Sequence, residues 1–204
     1  MKTLVKICGI CDVEGGIAAA EAGADLLGFH FCDSRRRLKP EEALRIIEAL
    51  PEGPALVGVF IDQPPAEVEA IAEYCGLDLV QLHGSEPPEF PIEVPVIKVL
   101  KVKDGKLPDH RLWPDDLLML DSWSSDQRGG TGRTWDWDLA LDLVRQREVF
   151  IAGGLNFENV GDVVRRLNPY AVDVSSGVES EPRVKDPEKV ARFVAAAKRE
   201  LRVL

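Results

Sequence analysis

The chain alternates between short apolar runs and longer amphipathic stretches over nearly its whole length. Eight of the apolar runs have the length and the aliphatic content of strands. None of them alternates strictly between apolar and polar positions, which is typical of parallel strands that are buried on both faces. The predicted strands are Leu4–Cys8, Leu26–Phe31, Leu56–Ile61, Leu79–Leu82, Val94–Val99, Leu117–Asp121, Val149–Ala152 and Ala171–Val174.

Helical periodicity appears between these strands, with apolar residues at i, i+3, i+4 and i+7. Two sets with this spacing are Val68, Ile71, Ala72 and Cys75, and Val190, Phe193, Val194 and Ala197. After the fifth strand, Lys101–Pro114 contains proline, glycine and charge but little periodicity, so we expect a loop or a degenerate helix there. Eight strand-helix units predict an α/β fold, a compact (β/α)8 TIM barrel in which residues 1–204 form a single domain.

An open, doubly wound sheet is the alternative architecture for such an alternating pattern. That fold usually carries a G-x-G-x-x-G turn after its first strand. No such motif follows strand 1 here, and the glycine-rich elements lie late in the chain. The sequence therefore favours the barrel.

Composition narrows the possible partners. The chain has 204 residues, 45% hydrophobic and 29% charged, with a net charge of -10. Nucleic acid is a poor partner for an acidic surface, whereas an anionic small molecule can bind where local amides or an arginine offset the field. No apolar run approaches the roughly 20 residues that span a bilayer, and the first residues lead directly into a strand. We therefore expect no membrane association, no signal peptide and a cytoplasmic location.

Two loops after the last strands have the composition of a phosphate site. Gly153 and Gly154 follow strand 7, and Ser175, Ser176 and Gly177 follow strand 8. Glycines let a backbone approach an anion closely, and the start of a short helix directs free N–H groups at it. Barrels often bind phosphate with these two loops. Gly153-Gly154 alone could be only a tight turn, but the two loops together favour phosphate binding.

Other strand ends carry candidate catalytic groups. Cys8 ends strand 1 at the polar mouth of the barrel and precedes Gly9, which favours a reactive thiol whose pKa of about 8.5 a positive neighbour could lower. Asp121 ends the apolar strand 6, where partial burial would raise its pKa and suit a general acid. One of three consecutive arginines, Arg36, could turn inward and pair with a substrate carboxylate. His83 could be a base, a donor or a packed core residue, and His30 could point either way.

In chain order, eight segments together resemble the phosphoribosylanthranilate isomerases of tryptophan biosynthesis. The resemblance covers Lys6 through Asp186, and it is specific because all eight occur in the family's order. The segments are Val5–Gly9, Gly28-Phe29, Ser34–Arg36, Gln81–Gly84, Leu120–Ser122, Gly129–Gly132, Ala152–Asn156 and Asp173–Glu179.

The resemblance implies an isomerase, specifically the Amadori rearrangement of N-(5-phosphoribosyl)anthranilate, without a metal or an organic cofactor. It implies that Cys8 is the general base and Asp121 the general acid, and that Arg36 binds the anthranilate carboxylate. The two late loops would bind the phosphate, and Gln81, His83 and Asp173 would lie near the substrate. We expect a monomer or a homodimer. The chain departs from the family pattern at Cys11, Arg35 and Arg183.

Other functions fit parts of the sequence. Cys8 and Cys11 have the C-x-x-C spacing of redox or metal sites, and His30 and Cys32 lie at the next strand end as possible further zinc ligands. That interpretation leaves the phosphate loops and Asp121 without a role. A sugar-phosphate epimerase barrel would usually need a His/Asp metal set, and a ligand-binding barrel without activity is distinguished only by assay.

Overall fold

Eight parallel strands close into a barrel, which confirms the predicted fold class. The structure is a computed structural model that describes residues 2–122 and 135–198. Each strand pairs with the next along the chain, and β8 pairs with β1. The strands are β1 Leu4–Cys8, β2 Leu26–His30, β3 Ala55–Phe60, β4 Leu79–Leu82, β5 Val96–Val102, β6 Leu117–Ser122, β7 Val149–Ile151 and β8 Ala171–Val174.

Helices cover the outside of the barrel, but not after every strand. They are α1 Val13–Glu21, α2 Pro40–Ile47, α3 Pro65–Cys75, α4 Leu141–Val144, α5 Val160–Leu167 and α6 Pro187–Lys198. Val190, Phe193, Val194 and Ala197 are all buried in α6, as their spacing predicts. The predicted degenerate segment after strand 5 is confirmed, because it holds one 3-10 turn at His110–Leu112.

The segment between β4 and β5 differs from the regular alternation. Residues 83–95, all of them described, form no helix. Pro87, Pro88 and Pro91 lie within this segment, and each lacks the backbone N–H that a helix interior needs. Pro95 also explains why β5 begins at Val96 rather than at the predicted Val94, since proline cannot donate to a strand ladder.

β5 also runs further than predicted, to Val102. This extension brings Lys101 to the carboxyl end of the barrel. Lys101 lies directly opposite Asp121 of β6 in the strand register. In the same way Lys6 of β1 lies opposite Asp173 of β8, and Cys8 lies opposite Gly28 of β2. The carboxyl ends of parallel strands meet at one end of a barrel, so these pairs gather charged groups there.

The hydrophobic core has two layers separated by the barrel wall. Leu26, Val57, Ile97, Met119 and Phe150 belong to one buried cluster, and they alternate along their strands with residues of a larger cluster that packs against the helices. The cluster that contains Leu26 and Phe150 lies inside the barrel, toward its amino-terminal end. The polar side chains of the barrel interior lie toward the carboxyl end.

Two short elements extend the loop after β8. A 3-10 turn at Ser176–Val178 leads into the antiparallel strands β9 Glu179–Glu181 and β10 Val184–Lys185. Among the described residues, no helix is both long and apolar enough to cross a membrane.

Candidate active site

One cavity at the carboxyl end of the barrel is lined by every residue that the sequence singled out as a site residue. These are Cys8, Arg36, Gln81, His83, Asp121, Gly153, Gly154, Asp173, Ser175, Ser176 and Gly177. His30, Ser122, Ala152, Leu155 and Val174 complete the described lining. The residues come from the ends of six strands or the loops that follow them, so only closure of the barrel brings them together.

Cys8 lies on one side of the cavity, above a buried ion pair. Lys6, two residues earlier on β1, is fully buried, and its ammonium donates to Asp173 Oδ1 at 2.7 Å. Gly28 leaves room for both side chains, because a Cβ at this position would lie 2.8 Å from Cys8 Sγ and 3.0 Å from Lys6 Nζ.

The pKa of the Cys8 thiol differs in direction from the sequence-based expectation. Burial raises the pKa of Cys8, and although the Lys6 charge opposes this effect, the net pKa lies above its ordinary value. A positive neighbour is present as expected. It does not lower the pKa on balance, because the thiol is desolvated and Asp173 adds a negative charge nearby.

Asp121 lies at the carboxyl end of β6 and contacts two basic side chains. Its Oδ2 accepts a hydrogen bond from Lys101 Nζ at 2.6 Å and lies 3.5 Å from His83 Nε2. Lys101 Nζ also contacts His83 Nε2. Lys101, Asp121 and His83 therefore form one cluster of ionisable side chains.

The predicted rise in the pKa of Asp121 is wrong for the protein without substrate. Burial by itself would raise the pKa, but the hydrogen bond to His83 and the charge of Lys101 outweigh it. Together they hold the pKa of Asp121 well below its usual range. Sequence reasoning missed Lys101 because the predicted fifth strand ended at Val99. A longer strand, with its register against strand 6, is the signal that would have paired Lys101 with Asp121.

Gln81 and His83 share one side of the cavity. Gln81 Nε2 lies 3.3 Å from His83 Nδ1, and the buried Gln81 Oε1 has no hydrogen-bond partner among the described residues. Burial and the charge of Lys101 lower the pKa of His83, while Asp121 opposes them. His83 is therefore a neutral hydrogen-bonding group near neutral pH.

The two late loops form the opposite rim. Gly153 and Gly154 both have positive φ, 87° and 72°, a conformation that glycine adopts without strain. A Cβ at Gly177 would lie 2.1 Å from the Leu155 carbonyl oxygen, so this close approach of the two loops requires glycine. Ser175 Oγ is buried and has no hydrogen-bond partner among the described residues.

Arg36 turns inward, as one of the three arginines was expected to do, while Arg35 and Arg37 are exposed. The Arg36 guanidinium forms a bidentate ion pair with Glu179, in which Nε and Nη2 donate at 2.7 and 2.6 Å. Lys185 donates to the same carboxylate at 3.1 Å. Burial would raise the pKa of Glu179, but these two cations outweigh it and lower the pKa.

Cys11 does not face the cavity beside Cys8. Its thiol lies 3.6 Å from the carbonyl oxygens of Gly9 and Arg36, which accept its hydrogen bonds. Across residues 2–122 and 135–198, no group of three or more His, Cys, Asp or Glu side chains is arranged to hold a metal ion. These positions give the C-x-x-C interpretation no geometric support.

Arg183, another departure from the family pattern, has a positive φ of 80°. Its Nη1 donates to the carbonyls of Arg35 and Arg37 at 2.9 and 3.1 Å. An arginine can therefore occupy a glycine-like conformation here, because its side chain ties the β9–β10 turn to the loop after β2. The glycine segment Gly129–Gly132, which carried part of the resemblance, lies outside the described residues.

Comparison with known proteins agrees with this geometry. Residues 5–196 match the family described as N-(5'phosphoribosyl)anthranilate (PRA) isomerase. The N-(5'-phosphoribosyl)anthranilate isomerase of Geobacter sulfurreducens is 48% identical over 198 residues, covering 95% of this chain and 98% of that protein.

Solved structures give the same result. The phosphoribosyl anthranilate isomerase of Thermotoga maritima superposes with a TM-score of 0.86 at 38% identity, covering 96% of this chain and 98% of that one. A phosphoribosyl anthranilate isomerase solved in complex with reduced 1-(o-carboxyphenylamino)-1-deoxyribulose 5-phosphate is 36% identical, with a TM-score of 0.82 and coverage of 96% and 98%. A further Thermotoga maritima structure is of monomers generated from the dimeric isomerase.

Proposed function

The chain belongs to the N-(5'-phosphoribosyl)anthranilate isomerase family, and on this premise we propose that Cys8 is its general base and Asp121 its general acid. The protein is an isomerase of tryptophan biosynthesis. The observation that carries the assignment of roles is that Cys8 and Asp121 line the same cavity as the two glycine-containing loops. A thiol and a carboxyl group on different strands can thus act on one substrate.

The acid step requires a proton on Asp121. Asp121 donates this proton to the furanose ring oxygen, the C1–O bond breaks, and the nitrogen lone pair forms the iminium. In the free protein, Lys101 and His83 favour the ionised carboxylate. The substrate brings a phosphate and a carboxylate into this buried site, and negative charge raises the pKa of a neighbouring carboxyl group. Binding of the substrate therefore favours the protonated form of Asp121, which the acid step needs.

The base step follows at C2. The iminium withdraws electrons and acidifies the C2–H bond, so the Cys8 thiolate removes this proton and becomes a thiol. The C–H electron pair forms the enolamine, which tautomerises to the aminodeoxyribulose phosphate. Acid and base assistance of this kind contributes about 10²–10⁴ in rate per group. In these steps Asp121 gives one proton and Cys8 accepts one, and the electron pairs that move belong to the substrate.

The phosphate binds between Gly153-Gly154 and Ser175–Gly177. This site is supported by positive φ at both glycines and by the buried hydroxyl of Ser175, which has no hydrogen-bond partner in residues 2–122 and 135–198. Backbone N–H groups at the start of the turn at Ser176–Val178 suit an anion. The relative that was solved with a bound ligand holds reduced 1-(o-carboxyphenylamino)-1-deoxyribulose 5-phosphate, which carries a phosphate group.

The anthranilate carboxylate binds near Arg36. Glu179 uses Nε and Nη2 of the guanidinium, which leaves Nη1 able to donate to a substrate. Because Glu179 and Lys185 fix the guanidinium, Arg36 is oriented before the substrate arrives. Gln81, His83 and Asp173 then contact or orient the sugar and its attached nitrogen.

The remaining features are also proposals. A single domain over residues 1–204 is supported by the family match over residues 5–196. The proposed form is a cytoplasmic monomer or homodimer, and the Thermotoga maritima monomers generated from a dimeric isomerase support either state.

A steady-state assay of the loss of phosphoribosylanthranilate fluorescence tests the proposal. Cys8→Ala and Asp121→Asn should each lower kcat by about 10² or more. Cys75→Ala and Asp116→Asn are matched controls, because Cys75 ends α3 and Asp116 precedes β6, away from the cavity. Turnover near that of the unmodified protein in either site variant would remove the role assigned to that residue.

A further inference from the structure

His30 touches the sulfur of the proposed base. It is the last residue of β2, and its Nε2 lies 3.3 Å from Cys8 Sγ inside the cavity. The strand register explains the contact. Cys8 pairs with Gly28, and His30, two residues later, projects from the same side of β2. The reaction proposed above gives His30 no role.

The contacts of Ser34 identify the hydrogen-bonding state of His30. His30 Nδ1 lies 3.0 Å from Ser34 Oγ, and the same oxygen accepts the Arg36 backbone N–H at 3.2 Å. Among the described residues, His30 Nδ1 is the one acceptor in contact with the Ser34 hydroxyl. A Ser34 hydroxyl hydrogen directed at Nδ1 leaves the ring hydrogen of a neutral imidazole on Nε2. In this tautomer the Nε2 hydrogen faces Cys8.

The imidazole of His30 stays neutral at working pH. Burial lowers its pKa, and the charges of Lys6, Arg36, His83 and Lys185 lower it further, to well below the ordinary value. With hydrogen on Nε2, the neutral His30 contributes an N–H donor and not a positive charge. A hydrogen bond to the charged form of an acid stabilises that form.

Cys8 needs such a donor, because burial opposes formation of its thiolate. Lys6 provides the nearest positive charge, but its ammonium is also held by Asp173. The charged and titratable groups that face Cys8 or His30 come from several elements: Lys6 on β1, His83 after β4, Asp173 on β8, Lys185 on β10, and Arg36 and Cys32 in the loop after β2.

From these contacts we propose that His30 is a positioning residue for Cys8, which donates Nε2–H to the sulfur, stabilises its thiolate and fixes its direction. Ser34 supports this role by holding the imidazole in the required tautomer. The proposal rests on the assignment of Cys8 as the general base.

The first experiment measures the pKa of Cys8 itself. The full chain, with Cys11, Cys32 and Cys75 changed to alanine, is alkylated with iodoacetamide over a range of pH. His30→Val should raise the apparent pKa of Cys8 by about one pH unit or more, because it removes a hydrogen bond to a charged group. His30→Gln, whose amide can donate from a similar position, should restore most of the difference.

Enzyme kinetics of the same variants then link the thiol to turnover. In His30→Val, kcat/KM at pH 7 should fall about tenfold and recover at higher pH, following the pKa of Cys8. An unchanged alkylation profile would overturn the proposal, as would a uniform loss of activity without a shift in pH dependence. If Cys8→Ala remained active, the role of Cys8 as base would fail, while the alkylation result would still decide whether His30 acts on the thiol.

A second experiment uses the unmodified chain and does not depend on the folding of any variant. Nitrogen-15 NMR of histidine-labelled protein distinguishes the two neutral tautomers of imidazole. We expect hydrogen on Nε2 of His30 across the pH range of activity. A signal with hydrogen on Nδ1 would contradict the proposal, because Nε2 would then accept rather than donate.

Discussion

Lys101 and Asp121 lie opposite each other on β5 and β6, and the Lys101 ammonium donates to the Asp121 carboxylate at 2.6 Å. This ion pair favours the carboxylate in the free protein, although the proposed reaction uses the protonated form. The proposed reaction therefore requires the pKa of Asp121 to be higher in the substrate-bound protein than in the free protein. The same ion pair predicts how the pKa of Asp121 changes when Lys101 is substituted and how the stability of the protein changes in acid.

Lys101→Met should raise the pKa of Asp121, because the positive charge that opposes protonation is removed. Carbon-13 NMR of the carboxyl group measures this pKa directly. Lys106→Met is the matched control, since Lys106 is exposed on the loop after β5 and does not line the cavity. An equal pKa in both variants would show that Lys101 does not set the ionisation of Asp121.

The Lys101–Asp121 pair also predicts the direction of a pH effect on stability. The pKa of Asp121 is lowered on folding, so its contribution is present above the unfolded value of about 3.9 and is lost as the pH falls through the folded pKa. Lys101→Met should lose less unfolding free energy between pH 6 and pH 3 than the unmodified protein. Chemical denaturation at the two pH values checks this difference.

Asp121→Asn separates acid catalysis from a structural role. The amide keeps the shape and hydrogen bonding of the side chain but has no proton to transfer. We expect kcat to fall about 10² or more while stability changes by about 1 kcal/mol. Melting temperature and kcat are measured on the same sample. A large loss of stability with little change in kcat would assign a structural role to Asp121, and His83 would become the candidate acid.

Cys8 and Cys11 should differ sharply on substitution. Cys8→Ala removes the proposed base, whereas Cys11→Thr replaces a thiol that donates to two backbone carbonyls by a hydroxyl that can do the same. We expect kcat to fall about 10² or more in the first variant and to be nearly unchanged in the second. Similar losses in both, or one metal ion per chain by elemental analysis, would favour the C-x-x-C alternative.

Gly154→Ala tests the phosphate loop against a matched backbone change. Gly154 has φ of 72°, and Gly76, the C-cap residue that follows α3, has φ of 62° with open space around its Cβ position. Both substitutions should cost about 1–2 kcal/mol of stability, because alanine is strained in this conformation. Only Gly154→Ala should also raise KM and the inhibition constant for inorganic phosphate, by about tenfold for one weakened hydrogen bond. Equal kinetic effects would argue against a phosphate site there.

The buried pair of Glu86 and Lys98 should stabilise the loop that carries His83. Their side chains are 2% and 3% exposed and 2.5 Å apart, and Glu86 also accepts the N–H groups of Asp62 and Gly84. Glu86→Gln should cost about 3 kcal/mol or more, because it leaves the Lys98 charge buried without its partner. The double variant Glu86→Gln with Lys98→Met should recover part of this loss.

The pH dependence of the same pair gives a further check. Although burial opposes ionisation, Lys98 and backbone donors lower the pKa of Glu86 on folding, so its contribution is lost as the pH falls. The stability difference between the unmodified protein and Glu86→Gln should therefore shrink in acid. A constant difference from pH 7 to pH 3 would contradict a stabilising charge on Glu86.

Local pattern and motif order in the sequence were sufficient for the fold class and for a set of residues that meet in one cavity. β1, β4 and β8 have the predicted bounds, and the eleven predicted site residues line one cavity. Strand periodicity and the chemistry of strand ends are local properties, and a parallel barrel converts position along a strand into position at one end of the molecule. The errors in the predicted strands lie at their ends. β5 begins two residues later than predicted because of Pro95, and its pairing with β6 extends it to Val102.

Tertiary structure alone decided the electrostatic state of the site. The partners of Asp121 and Arg36 are Lys101 and Glu179, which lie 20 and 143 residues away in sequence. Whether a buried carboxyl group or thiol gains or loses its proton depends on the balance between desolvation and such partners over a few ångströms. The sequence contains the titrating groups and the strands that carry them. Register and barrel closure determine which charges meet, and for that reason the sequence did not indicate the low pKa of Asp121 or the contact between His30 and Cys8.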